Sequence, residues 1–329
     1  MRAAVVAALT GPDSLVLREV PEPLPAPDQV LVDVEYAGVA FPDVLRTRGE
    51  YQLRPELPFS PGWEVSGVVR ADGGGFKAGD RVAAMPVVGG FAESVAVDAR
   101  MVFPLPADVS FARGAALPLN YLTAHLALLR RGRLSRGETV LVQGAAGGLG
   151  SAVCSLADAL GARVIAVVST DEKAEIVRAA GAHHVVLAEG FKDRVRHLTG
   201  GRGVDMVVDP VGGARFPDSL RSLATEGRLL VLGFAGGEIP TVRTNRLLLT
   251  NTCVMGVASN ELWTLEPDYP AEQWRDLIPR VESGAIDPLI GAEFPLSDAA
   301  SAIRTLDERR AHGKILIRVG GGSQAPSRR

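Results

Sequence analysis

Cysteine is scarce in this chain. Cys154 and Cys253 are the two among 329 residues. They form no CxxC pair and no disulfide framework, so a reducing cytoplasm is the expected compartment. Histidine is also sparse: His125, His183, His184, His197 and His312 make no HxxH or HxxxH pair. Aromatics are 5% of the chain. No apolar run reaches the roughly 18 residues that cross a bilayer, so no membrane-spanning helix is expected. The opening "MRAAVVAALTGPDSLVL" meets Thr10, Gly11, Pro12 and Asp13 at once and reads as a strand and turn, not a signal peptide. Nor is there an excess of one charge. A formal net charge of −3 gives no footprint for nucleic acid or an anionic membrane. GxSxG is missing, so a nucleophile-elbow hydrolase is not expected.

What the chain has is small apolar residues and turns. It is 47% hydrophobic with 37 glycines, the composition of an α/β core built from Val, Ala and Leu. Its length suits two domains. Up to about residue 110, short strands alternate with Gly and Pro turns, as in "QVLVDVEYAGV" (29–39) and "VSGVVRADGGGFKAGDRVAAM". This predicts a mostly antiparallel β domain. Strand and helix signals then alternate from "ETVLVQGAAGGLGSAVCSLADALGARVIAVVS" through "LLLTNTCVMGVAS". That alternation predicts βαβ units on a doubly wound parallel sheet. From residue 262 the chain is expected to return to the first domain. The boundaries read are 1–120 with 262–329 for one domain and 121–261 for the other, with a disordered tail at 320–329.

The loop Gln143-Gly144-Ala145-Ala146-Gly147-Gly148-Leu149-Gly150 follows the strand "TVLVQ" and opens a helix. This is the context a dinucleotide fingerprint requires. Gly144 serves the tight turn, Gly147 the close approach of a pyrophosphate, and Gly150 the packing of helix on strand. The helix mouth, with Ala146, Gly148 and Leu149 in it, would present N–H groups to the diphosphate. The next strand ends at Ser169, with Thr170, Asp171, Glu172 and Lys173 after it. A small neutral residue followed by a lysine favours a ribose 2′-phosphate, hence NADPH over NADH. The competing reading is a capping box, Ser169-x-x-Glu172, with Lys173 an ordinary surface residue. Asp171 opposes a phosphate if it turns inward.

The order β domain, "GAAGGLG" domain, β domain, with "GVAFPDVLRTRGEYQ", "LPFSPGWEVSGVV", "AALPLNYLTAHLAL", "VDPVGG" and "AHGKILI", resembles the medium-chain dehydrogenases/reductases. Within them it is most similar to the zinc-free NADPH:quinone oxidoreductases related to zeta-crystallin. The likeness runs from about residue 1 to about 319. It implies a GroES-like catalytic domain, a Rossmann domain, and a homodimer paired along the strand near "NTCVMGVAS". In zinc-dependent members a Cys lies in the segment matching "GVAFPD" and a His in the middle of "GWE". Those positions here are Ala40 and Trp63, and residues 65–105 hold no Cys. No metal site is expected, since zinc takes three or four N, S or O ligands.

The same resemblance places Tyr51 in a nicotinamide cleft between the domains, where its hydroxyl would donate to a substrate carbonyl; the alternative is a surface tyrosine. Asp43 is read either as a proton relay or as a helix N-cap. Thr123 is read near the nicotinamide or its phosphate, or bonded to its own helix backbone. Leu232-Gly233-Phe234 and Gly256-Val257 end parallel strands, where their backbone could meet the nicotinamide amide. Lys314 would approach the cofactor or merely precede a strand. Many family members have Tyr or His near position 188, where this chain has Ala188. Without a Lewis acid, the expected hydride acceptor is one that needs little polarisation: a quinone or similar apolar acceptor first, an activated alkene second. A non-catalytic NADPH-binding protein is the third reading.

Overall fold

The computed structural model describes residues 1–320; of the tail expected at 320–329, all but Gly320 lies outside the described residues. The chain forms two compact units, Met1–Leu119 with Ile290 onward, and Asn120–Leu289.

Unit 1 has two sheets. β1 (Arg2–Val6) and β2 (Leu15–Glu19) pair antiparallel. The main sheet runs β14 (Ile290–Pro295), β15 (Lys314–Arg318), β3 (Gln29–Val39), β4 (Glu64–Val69), β5 (Arg81–Ala84) and β7 (Val102–Pro104), with β6 (Ser94–Asp98) also on β3. β3 is its spine, because its eleven residues are long enough to pair with β15, β4 and β6. Val30, Val32 and Val34 alternate inward, the period-two signal of a strand with one buried face. Among the described residues of this unit only β14 and β15 pair in parallel, joined through helix α11 (Ala299–Asp307). Ala302 and Ile303 of that helix are buried in the same core as Val32, Val65 and Ile317.

The joints of this sheet meet at one buried ion pair. Lys314 opens β15 and Glu64 opens β4; the lysine Nζ donates to Glu64 Oε1, and the two side chains are 3% and 0% exposed. Glu64 Oε2 accepts the Leu119 N–H at 2.8 Å. A Cβ at Gly38 of β3 would fall 2.6 Å from both Glu64 Cγ and Lys314 Cε, so glycine makes room for the pair.

Unit 2 carries six parallel strands, β8 (Thr139–Val142), β9 (Arg163–Val168), β10 (His184–Leu187), β11 (Val204–Asp209), β12 (Leu223–Val231) and β13 (Cys253–Gly256). They lie in the order β10-β9-β8-β11-β12-β13. This is the doubly wound order whose direction reverses between the first and fourth strands of the unit. Near-continuous burial of β8, β9 and β11 fits a sheet covered on both faces.

The expected return at residue 262 is corrected. Helices α9 (Ser259–Leu265) and α10 (Tyr269–Glu282) stay in unit 2, and the crossing falls at 289–290. Buried Gln273 explains this. It accepts the Trp263 indole N–H at 2.9 Å and donates to Leu122 O at 2.7 Å. That fastens α10 to helix α3 (Pro118–His125), which continues as a π-helical turn over Leu126–Arg131. Among the described residues no helix is long and apolar enough to cross a membrane.

Lys314→Met should cost about 3–5 kcal/mol, because it strands a buried carboxylate. Adding Glu64→Gln should recover much of that loss. Urea denaturation of the two variants and the parent checks both.

Candidate functional site

The glycine loop of unit 2 sits at the reversal of strand order, after β8. Gly144 turns the chain at φ 60°, and helix α4 (Gly148–Ala159) starts with Gly147 as its N-cap. A Cβ at Gly150 would lie 2.3 Å from Gly144 O and 2.7 Å from Ala145 Cα, so helix and loop touch backbone to backbone. At Gly147 the only atom near such a Cβ is Gly144 O at 3.5 Å. The loop is therefore closed beneath and open above. A helix start leaves its first N–H groups without intrahelical partners, and here those are the amides after Gly147, including Gly148, Leu149 and Gly150. Ala146 is buried in the turn. The arrangement can take an anionic diphosphate on the helix mouth, and the residues fit a dinucleotide there.

Across the same reversal, Asp209 ends β11. Its Oδ1 accepts the Val211 and Gly212 N–H groups at 2.8 and 2.9 Å, and burial raises its carboxyl above the ordinary range. The sequence reading gave Asp209 no role, although "VDPVGG" contains it. An acid followed by Pro and Gly at a strand end was the available signal.

Ser169 is exposed beyond β9, with Lys173 half-buried in the first turn of helix α5 (Asp171–Ala179). The capping-box reading of Ser169 is corrected: the N-cap is Thr170, and no side chain caps it. Asp171 and Glu172 are exposed in the same turn. The Thr123 hydroxyl does not bond its own helix; it pairs with Ser259 Oγ at 3.0 Å. Leu232, Gly233 and Phe234 follow β12 at the carboxyl edge, tied by Leu232 N–H to Asp209 O at 3.0 Å. Gly256 ends β13 and gives its carbonyl to Arg131 Nε at 3.1 Å; buried Val257 follows it. Loop, Asp209 turn and Leu232–Phe234 thus share one edge of the sheet.

In unit 1 the helix α1 (Phe41–Thr47) brings the other predicted residues together. Ala40 is its N-cap and Asp43 its third residue, which corrects the N-cap reading of Asp43. Asp43 is 0% exposed and accepts Ala40 N–H on Oδ2 at 2.9 Å and Gly62 N–H on Oδ1 at 3.0 Å. Both oxygens are thus engaged by backbone, and burial pushes the carboxyl up to about 6. Gly62 precedes Trp63, so Asp43 positions the "GWE" segment. Tyr51 is half-buried, its ring edge-on to Trp63 at 5.7 Å. Against both rings lies Arg46, which sequence reasoning passed over. Its guanidinium carbon is 4.2 Å from the Trp63 ring centre and 5.4 Å from that of Tyr51. One turn of helix separates Arg46 from Asp43, which was the signal for it. Lys314, expected at the cofactor, is instead committed to Glu64 inside unit 1. Among the described residues no group of three His, Cys, Asp or Glu is placed to hold a metal.

A diphosphate cradle at the reversal of a doubly wound sheet, in a chain that also carries a separate β unit, defines a nucleotide-dependent dehydrogenase architecture. Residues 26–107 match the alcohol dehydrogenase GroES-like domain, and residues 148–283 match the family described as zinc-binding dehydrogenase. The chain is 41% identical to the rat quinone oxidoreductase-like protein 2 over 323 residues, 96% of this chain and 91% of the relative. A probable oxidoreductase from Mycobacterium abscessus is 43% identical, with a TM-score of 0.90 over 97% of this chain and 99% of that one. The quinone oxidoreductase of Thermus thermophilus, solved also as its NADPH complex, is 37% identical, with a TM-score of 0.86 over 97% and 100%. The chain belongs to the quinone oxidoreductase family of the medium-chain dehydrogenases/reductases.

Because the Asp43 carboxyl titrates near 6 in the fold, against about 4 when unfolded, its contribution to stability is present below pH 4 and is lost as pH rises through 6. Asp43→Asn lacks this titration. The stability of the parent relative to the variant should therefore fall by about 3 kcal/mol between pH 4 and pH 7, as measured by urea denaturation at both.

Proposed function

We propose that this protein is a zinc-independent, NADPH-dependent oxidoreductase that passes hydride to a quinone or similar apolar acceptor. The observation that carries this is the loop at Gly144–Gly150, closed under Gly150 and open over Gly147. Unit 2 would hold the coenzyme, with its diphosphate on the amides of Gly148–Gly150. The 2′-phosphate would meet Ser169 and Lys173 beyond β9, and the carboxyl-edge residues Leu232–Phe234 and Gly256–Val257 would face the nicotinamide end. The NADPH complex of the Thermus thermophilus relative supports the choice of coenzyme. Bound, the coenzyme supplies a hydride; the chain's own residues orient the acceptor and exclude water, and a proton comes from solvent or through Tyr51.

Independence from zinc rests on side-chain chemistry: Ala40 and Trp63 have no donor that ligates zinc. A quinone suits such a site because its reduced oxygen is delocalised over the ring. A homodimer through the free edge of β13 is part of the same reading. Leu248 and Leu249, in the helix just before that strand, are 77% and 73% exposed. Both cysteines are free thiols, in keeping with the cytoplasm, and burial pushes Cys154 up to about 12, which disfavours its thiolate.

Oxidation of NADPH should be fastest with quinones in a panel that also contains enones and enoyl thioesters. Faster turnover of the alkenes would make it an alkenal or enoyl reductase, and coenzyme binding with no turnover would leave a non-catalytic role. Lys173→Glu should weaken NADPH at least tenfold with little effect on NADH, as read by fluorescence titration; an unchanged preference removes Lys173 from the phosphate site. Gly150→Ala should abolish binding of both coenzymes, since its methyl has no room against Gly144 O.

A further inference from the structure

Arg46 is the least explained charge in the molecule. It is 1% exposed. Only Nη1 has a hydrogen bond, to Val87 O. Its Nε and Nη2 have no partner among the described residues, and the same is true of the indole Nε1 of Trp63, which is 2% exposed. These three orphans are all donors. The nearby Asp43 does not answer them: its oxygens accept the Ala40 and Gly62 N–H groups and make no hydrogen bond to Arg46 Nε or Nη2. An unpaired guanidinium in such surroundings costs several kcal/mol. The Trp63 and Tyr51 rings offset a part of that through cation–π attraction, but ring faces satisfy no N–H. What is missing is an acceptor-only group. Arg46 and Tyr51 also line a small cavity with Leu53, Arg54 and Pro55 that has two guanidinium groups in its wall and no acid.

We propose that Arg46 is the oxygen-binding residue for the electron acceptor: its Nε–H and Nη2–H, beside Trp63 Nε1–H, take a carbonyl oxygen and hold it as it becomes an oxyanion. This rests on the reading of the protein as a reductase of carbonyl-bearing acceptors. When a quinone is reduced, two electrons and one proton arrive as hydride from NADPH, which is oxidised to NADP⁺. One quinone oxygen is left as the anion of the hydroquinone, and water supplies the second proton. A fixed guanidinium meets that charge without reorganisation, the role of an oxyanion donor. It also carries the bidentate geometry that a lysine lacks.

Two measurements test this. In nitrogen-edited NMR spectra of the coenzyme-free protein, the Arg46 Nε–H and Trp63 Nε1–H signals, assigned from Arg46→Lys and Trp63→Phe, should shift when menadione is added. In NADPH oxidation with menadione, Arg46→Met should lower kcat and kcat/KM together by about a hundredfold, with NADPH affinity unchanged. Arg46→Lys should lose nearly as much, and added guanidinium ion should restore at least tenfold of the rate of Arg46→Ala. Unmoved NMR signals, or an Arg46→Met rate within threefold of the parent, would overturn the assignment and leave ordered water on the three donors. A parent protein whose two signals shift with menadione but which reduces no acceptor would keep the binding site and sink the reductase reading instead.

Discussion

The ammonium of Lys314 on the carboxylate of Glu64 is the contact on which unit 1 depends. It joins residues 250 positions apart, at the heads of β15 and β4, across the spine strand β3. Neither charge is tolerable there alone, since removing one leaves the other unsolvated. The second Glu64 oxygen takes the Leu119 N–H at the start of α3, so the same carboxylate fixes where the chain leaves the unit. Gly38 is the third partner, by having no side chain where the pair must lie.

Unit 2 follows a different logic. Its central strands β8, β9 and β11 are buried on both faces, so side-chain variety is spent at the carboxyl edge. There the reversal between β8 and β11 splays two turns apart. One is made of glycine and offers amides; the other is clamped by Asp209 around its own backbone. A nucleotide bound there would use the first and be framed by the second. Unit 1 contributes charge of a more guarded kind. Asp43 and Arg46 sit one turn apart on α1 and face opposite tasks, the acid holding the backbone that carries Trp63, the base stacked on the ring itself.

Much of this was legible in the chain. The strand–glycine–helix passage at 139–159 carries its own local grammar, because tight turns, helix mouths and close packing each demand glycine at a fixed place. β3 announced itself by alternation. The misplaced features are those that depend on partners distant in sequence. The helices at 259–282 have no mark of the unit they join; Gln273 decides it through Trp263 and Leu122. Thr170 takes the cap position that Ser169 was expected to hold, since the backbone at Thr170 is still extended, with φ −143° and ψ 158°. Lys314 reads as an ordinary strand-opening lysine until Glu64 is seen beside it. Arg46 is hidden for a further reason: an arginine on a short helix is normally solvated, and only the burial of its neighbours reveals that this one is not.

β3 must wait for β15. Its partner along Tyr36–Val39 is Ile315–Arg318, and between them the ribosome has to make the whole of unit 2. At roughly 5–20 residues per second, that interval is about fifteen to fifty-five seconds. Through it the nascent amino-terminal sheet has an unfilled edge and an uncompensated Glu64, while the inserted α/β unit can already close. Synthesis therefore imposes an order of assembly opposite to the order of the text: the middle matures first, and the beginning is completed by the end.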